Sequence, residues 1–290
     1  MRETPMRVIF ERGVVRTGLR PMLRSRRTTG ARGRHCAEEE RLMSNEAKSR
    51  PAVALLSGLL CDEAIWEAVA SRTADVARVT VFGFRGYSSI TAMADHVRAA
   101  MTGRFAVAGH SMGGRVALEV FRQERSRVTG LALLNSGIHP VAAQEPESRG
   151  RLVRLARELG MAALAAEWLP PMMGPARPAD DALMRRLTAM VERSTAEQFA
   201  AQIHALLHRP AAATVLAQVR VPLLLLSADQ DRWSPVEQHE AMRRLCPAAE
   251  LRIVRDAGHM APAEQPAAVA DALQVWIETI VSGEDSGSHA

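Results

Sequence analysis

Aromatic side chains are scarce in this chain. Phenylalanine, tryptophan and tyrosine make up 4% of 290 residues, and there is one tyrosine. Aliphatic packing must therefore dominate any core, and an apolar content of 47% is enough to build one. Cysteine is also rare. Cys36, Cys61 and Cys246 are odd in number and far apart, which gives neither a disulfide framework nor a zinc-ligand spacing. They suit a reducing compartment. No apolar run approaches the length of a membrane span, and the N-terminus has no apolar core of a secretion signal. A cytoplasmic protein is expected. The length fits one large domain or two modest ones.

Lysine is nearly missing as well, so the basic residues are almost all arginine, which we read as coding bias. The net charge of +5 is misleading because of where it sits. Residues 1–42 carry eleven arginines and five glutamates, or +6, and the other 248 residues carry 26 basic and 27 acidic groups, or −1. The body of the chain has no global basic field, so nucleic acid is not an expected partner.

Residues 1–50 are read as a disordered, arginine-rich head. RVIF and VVRTG have the text of a short hairpin, but RSRRTTGARGRHCAEEERL has no apolar periodicity. Met43 offers an internal start, and residues 1–42 are expected to be dispensable. From Pro51 the text changes. VALLSG, VARVTVFGF, FAVAG and VTGLALLNSG read as strands. Between them lie helical segments: one from about Asp62, SSITAMADHVRAAM with its serine start, and GGRVALEVFRQE. Such alternation implies a mainly parallel sheet with helices on both faces, an α/β fold. Residues 138–218 hold no convincing strand and read as an insert of three or four amphipathic helices, interrupted by PPMMGPARP. Alternation then resumes with VPLLLLS, PVEQHEAMRRL, LRIV and a last helix around AAVADALQVWIETI. Residues 281–290 are polar and read as a frayed tail.

The stretch GHSMGG follows the strand text FAVA and opens helical text. Ser111 between Gly109 and Gly113 fits a nucleophile on a sharp strand-to-helix turn, where small neighbours are needed because elements approach closely. The helix behind it points its positive end at developing negative charge, and the Met112 N–H is placed to donate to an oxyanion. A serine needs a base. His259 in DAGHMAP follows the strand LRIV and is the candidate. The acid must come from ADQDRWSP, where Asp229 and Asp231 both qualify by position. Asn135 ends the preceding strand but carries no charge and cannot serve. Leu59, just after Gly58, is the natural second backbone donor to an oxyanion, ahead of Leu60. The side chains of Leu60, Trp66 and Trp168 are candidates for the substrate pocket. His110 is read as structural, His204 and His208 as surface helix residues, and Arg115 as a solvated helix arginine in preference to a carboxylate contact for a C–C hydrolase substrate.

In this order of segments, residues 51–280 resemble the α/β-hydrolase superfamily, in its lactonase, esterase and C–C hydrolase branch with a helical cap. LLSGLLCDEAIWE resembles the oxyanion segment, with Ser57 where that family usually has histidine. GHSMGG resembles the nucleophile turn and DAGHMAPAEQP the histidine loop, with Glu264 and Pro266 structural. In the family the acid usually stands four residues before a proline; the resemblance therefore selects Asp231, before Pro235. It implies a core of residues 51–137 and 219–280, a cap of 138–218 over the site, and a triad of Ser111, Asp231 and His259. The apolar faces that carry Met161, Leu164, Trp168 and Met172 would pack the cap in the first instance, with a preference for an uncharged acyl group as the other reading. The implied reaction is hydrolysis of a small-molecule carboxylic ester or lactone through an acyl-enzyme, with no metal or organic cofactor and no membrane partner. A homo-oligomer is left open. Two alternatives remain at this point: a C–C bond hydrolase or synthase-type lyase with the same triad, and a non-catalytic small-molecule receptor on the same fold.

Overall fold

The structure, a computed structural model, describes residues 7–10, 50–174 and 181–287. Seven strands form one sheet: β1 Arg7–Phe10, β2 Ala52–Leu56, β3 Arg78–Phe82, β4 Phe105–His110, β5 Val128–Leu134, β6 Leu223–Ala228 and β7 Glu250–Val254. Their order across the sheet is β1-β3-β2-β4-β5-β6-β7, parallel throughout except for β1. β4, β5 and β6 are buried along their whole length, as expected where helices cover both faces. The helices are α1 Glu67–Thr73, α2 Ile90–Ala100, α3 Met112–Gln123, α4 Glu145–Trp168, α5 Ala182–Glu192, α6 Ala196–Leu207, α7 Ala213–Leu216, α8 Val236–Leu245, α9 Ala261–Glu264 and α10 Pro266–Gly287. α2 packs on α3, and α10 packs on α1.

The crossovers place the functional loops. From β2 the chain steps outward to β3, then returns across β2 to β4. That reversal puts the ends of β2 and β4 side by side, and ligands bind at such switch points in parallel sheets. The loop after β2 and the turn after β4 therefore meet, as do the ends of β6 and β7 two strands away.

Two expectations are corrected here. Residues 7–10 do not belong to a structureless head: Arg7–Phe10 pairs antiparallel with β3, in the register Arg7 to Phe82. That partner is distant in sequence; VVRTG lies outside the described residues together with the rest of 11–49. An edge strand formed this way covers the open rim of β3. The tail also differs. α10 continues to Gly287, seven residues past Ile280, so the polarity of this stretch did not end the helix. Residues 288–290 lie outside the described residues.

The insert between β5 and β6 is helical, as expected. It forms a cap region from α4 to α7 with a short 3-10 turn at Pro170–Met172. α4 is broken at Gly160, whose φ of 85° is left-handed and open to glycine at no steric cost. Among the described residues, no helix is long and apolar enough to cross a membrane.

Candidate active site

Ser111 sits between the last residue of β4 and the first of α3, with φ 53° and ψ −116°. A left-handed φ is costly for a residue with a Cβ and persists only where the surroundings enforce it. Here they do. A Cβ on Gly109 would fall on the Gly113 carbonyl, and one on Gly113 would fall on the Leu56 carbonyl. The strand, the helix and β2 are too close for side chains at either position. The turn is tied down by Ser111 N–H donating to Leu134 O (2.9 Å) and Ser136 Oγ donating to Ser111 O (2.8 Å). This is why small residues flank the serine.

The expected base and acid come together with it. Ser111 Oγ lies 2.8 Å from His259 Nε2. On the other side of the ring, His259 Nδ1 lies 2.9 Å from Asp231 Oδ2. Asp231 is 4% exposed and fully engaged. Its Oδ1 accepts from the N–H groups of Trp233 (2.8 Å) and Ser234 (2.9 Å), and its Oδ2 also accepts from Asn135 Nδ2 (2.9 Å). Burial alone would raise this carboxyl. The imidazole of His259 and the hydrogen bonds from Asn135 and Ser234 outweigh it and hold the carboxyl well below the usual range. Asp231 is therefore a carboxylate at any pH of interest. Asp229 points elsewhere, 3.7 Å from Arg255, and makes no contact with the histidine.

His259 is fixed through its backbone too. Its N–H donates to Met172 O in the cap (2.7 Å), and its carbonyl accepts from His110 Nε2 (2.7 Å). His110 is thus structural, as expected, and its task is to hold the base's main chain. Burial, then repulsion from His259, holds the His110 imidazole down to about 3, so it is neutral and donates from Nε2. Glu264 is structural as well: its two oxygens accept from Gly258 N–H (2.9 Å) and Gly174 N–H (2.7 Å), joining the histidine loop to the cap.

The candidate oxyanion donors differ from their neighbours in hydrogen bonding. Met112 opens α3, so its N–H has no carbonyl one turn back to bind. After β2, Leu60 N–H donates to Gln202 Oε1 (2.9 Å) and Cys61 N–H to Gly58 O (3.2 Å). Among the described residues, this leaves the Leu59 N–H uncommitted. Gln202, on α6, also donates from Nε2 to Phe84 O (3.0 Å). No signal in the sequence marked Gln202, because its partners are 142 and 118 residues away. Replacing it with leucine leaves the Leu60 N–H buried and unpaired, and leaves the Phe84 carbonyl with one donor, the Tyr87 N–H. At about 1–3 kcal/mol for the unpaired group, the expected result is a clear fall in the urea midpoint, with kcat/KM reduced about tenfold as the loop loosens.

These groups face a cavity of about 310 Å³ lined by Leu59, Ser111, Met112, Trp168, Met172 and His259, among others. Two expectations fail here. Leu60 and Trp66 are not part of the lining. The backbone of Leu60, at φ 59°, turns it away, and Trp66 is wholly buried behind the site, edge-on to His110. Trp168 does line the cavity, and so does Met172, whereas Leu164 is wholly buried in the cap.

A third expectation fails more usefully. Arg115 is not a solvated helix arginine: it is 8% exposed and lines the cavity. One turn beyond Ser111 on α3, it shares that residue's face, a spacing from which the placement was readable. Its Nη2 donates to His139 O (2.9 Å). Arg149 and Arg209 line the same cavity beside Glu145. Arg209 grips Glu145 through both Nη atoms (2.7 Å each), and Arg149 Nε reaches it at 3.2 Å. Burial, then repulsion from Arg209, holds the Arg115 guanidinium down to about 9, which leaves it charged at neutral pH. His204 and His208 stack on the surface of the cap, as expected, and among the described residues no group of three or more His, Cys, Asp or Glu could hold a metal.

The arrangement is that of a serine-hydrolase-type enzyme: a hydroxyl on a strained turn, a base touching it and a carboxylate behind the base. Comparison with known proteins agrees. The sequence model of the alpha/beta hydrolase family matches residues 53–272. An esterase from Thermogutta terrifontis, solved with malate bound, superposes with a TM-score of 0.73 at 29% identity, over 79% of this chain and 90% of that one. The enol-lactonase of Burkholderia xenovorans LB400 gives a TM-score of 0.68 at 22% identity, over 79% and 92%. The biotin biosynthesis bifunctional protein BioHC of Cellvibrio japonicus is 22% identical over 251 residues, 82% of this chain. The chain spans about half the length of that curated relative, 49%.

Proposed function

The chain belongs to the alpha/beta hydrolase family, and we propose that it cleaves a small-molecule carboxylic ester or lactone through an acyl-enzyme. His259 Nε2 takes the proton of Ser111 Oγ as the oxygen attacks the acyl carbon. The N–H groups of Leu59 and Met112 hold the resulting oxyanion. His259 returns the proton to the leaving oxygen. It then draws a proton from a water that attacks the acyl-serine, and the acid departs. Asp231 stabilises the imidazolium in both halves. No step calls for a metal or an organic cofactor.

One observation carries the reading: Ser111 Oγ, His259 Nε2 and Nδ1, and Asp231 Oδ2 form an unbroken line of contacts at 2.8 and 2.9 Å. The activities of the Thermogutta esterase and the Burkholderia enol-lactonase support esters and lactones as substrates. The cavity volume supports a small molecule. We assign residues 51–137 and 219–280 to the hydrolase core and 138–218 to its cap. The net charge of −1 outside residues 1–42 supports a protein without nucleic-acid partners, and the few scattered cysteines support a cytoplasmic location. A panel of short-chain esters, enol lactones and dienoic diketones tests the reaction class. Turnover of esters or lactones is expected. Turnover of the diketones alone would replace ester hydrolysis with C–C bond cleavage.

A further inference from the structure

A buried charge is retained only when something compensates it. Of the three guanidinium groups in the cavity wall, Arg209 and Arg149 share Glu145. Arg115 is different. It is as buried as a core residue, it faces the cavity, and among the described residues its hydrogen bond goes to a backbone carbonyl and no carboxylate pairs with it. Among the described residues, three cationic side chains against one anionic one leave the wall with an excess of positive charge. The space they border is the space in which Ser111 works.

We infer that the substrate carries a carboxylate in addition to the bond that is cleaved, and that this carboxylate seats on Arg115. The inference rests on the serine-hydrolase reading and adds the substrate class. Guanidinium and carboxylate match in geometry and charge, and in a confined site the pair is stronger than in water. The bond to His139 O leaves the other N–H groups of Arg115 for the ligand. Arg149 lies beside Glu145 and adds to the field. Fixing the substrate at a second point, away from the reacting carbon, orients the ester against Ser111.

The experiment measures kcat/KM for half-esters of dicarboxylic acids, from malonate to adipate, against the corresponding neutral diesters. Acetate esters of short hydroxy acids place the charge on the leaving side instead. At the preferred chain length the anionic ester is expected to exceed its neutral counterpart by at least tenfold. Arg115→Met should cut that ratio at least tenfold, and Arg115→Lys should keep part of it. Arg149→Met, on a less buried neighbour, gives a second reading of the ratio should Arg115→Met not fold. A residue that only braced His139 would, when replaced, slow anionic and neutral esters alike. Equal rates for charged and neutral esters at every length, or a ratio that folded variants leave unmoved, would overturn the inference while ester hydrolysis stands. If no ester is turned over, melting of the wild type with succinate, glutarate or adipate separates the two claims. Stabilisation by a diacid but not by its diamide, lost in the folded variants, keeps the anion seat and removes the esterase reading. No stabilisation removes both.

Discussion

Ser111→Ala is expected to abolish covalent labelling by a fluorophosphonate and to lower acyl-transfer rates by about 10⁴-fold or more. The hydroxyl is the atom that touches His259 Nε2, and alanine offers nothing in its place. The fold should persist. Alanine adds no volume to a turn where Gly109 and Gly113 leave none to spare, and the φ of 53° is as costly for serine as for alanine. Intact mass after labelling is the readout. Wild type should gain one adduct, in the peptide containing Ser111, and the variant none. Residual turnover need not vanish, because the oxyanion donors and the cavity still favour direct attack by water. An adduct of equal extent on folded variant would put the nucleophile elsewhere.

Asp231→Asn should reduce kcat/KM by about 10²–10⁴-fold, and Asp229→Asn should change it little. The cause is donor geometry. Oδ1 of residue 231 accepts from two backbone N–H groups, so an asparagine there keeps its oxygen on that side. Its amide nitrogen then faces His259 Nδ1, where a proton is now unwelcome. The imidazole is driven to the tautomer with hydrogen on Nε2 and has no lone pair for Ser111. The same amide also meets Asn135 Nδ2 as one donor against another. Asp229 contacts neither ring nor serine, so its loss touches only a weak exposed pair with Arg255. Steady-state rates of the two variants, with circular dichroism to establish folding, decide between them. A crippled Asp229→Asn beside a healthy Asp231→Asn would overturn the register.

The parts of this molecule legible in its sequence are those written locally. Aliphatic runs such as LLLL and FAVA announce strands buried on both faces, and Gly109 and Gly113 announce a crowded turn. The chain order serine, acid, histidine follows from which strands end at the same edge. Even the choice between two aspartates had a local cause in Asp231, whose side chain caps the N–H groups two and three residues on. What stayed hidden depends on distant partners. Four residues, RVIF, became a strand because β3 offered an edge. The spacing of Arg115 from Ser111 pointed to the cavity, but its burial did not show, because that depends on the segment holding His139 and Glu145 folding over α3. Gln202 reads as an ordinary helix glutamine until β2 and its loop lie beneath it. Trp66 has the composition of a pocket residue, but its ring fills the space behind His110.

The cap is fastened to the core at both flanks of the serine: Gln202 holds Leu60, and Met172 holds the main chain of His259. Any motion that lifts both fastenings releases the loop after β2 and frees the base's backbone in the same event. By reciprocity, a ligand that binds better to the closed state tightens the catalytic geometry by the same free energy with which the assembled geometry favours the ligand. The amide protons of Leu60 and His259 are then the natural clocks of this cap: their exchange with solvent reports how often each fastening opens.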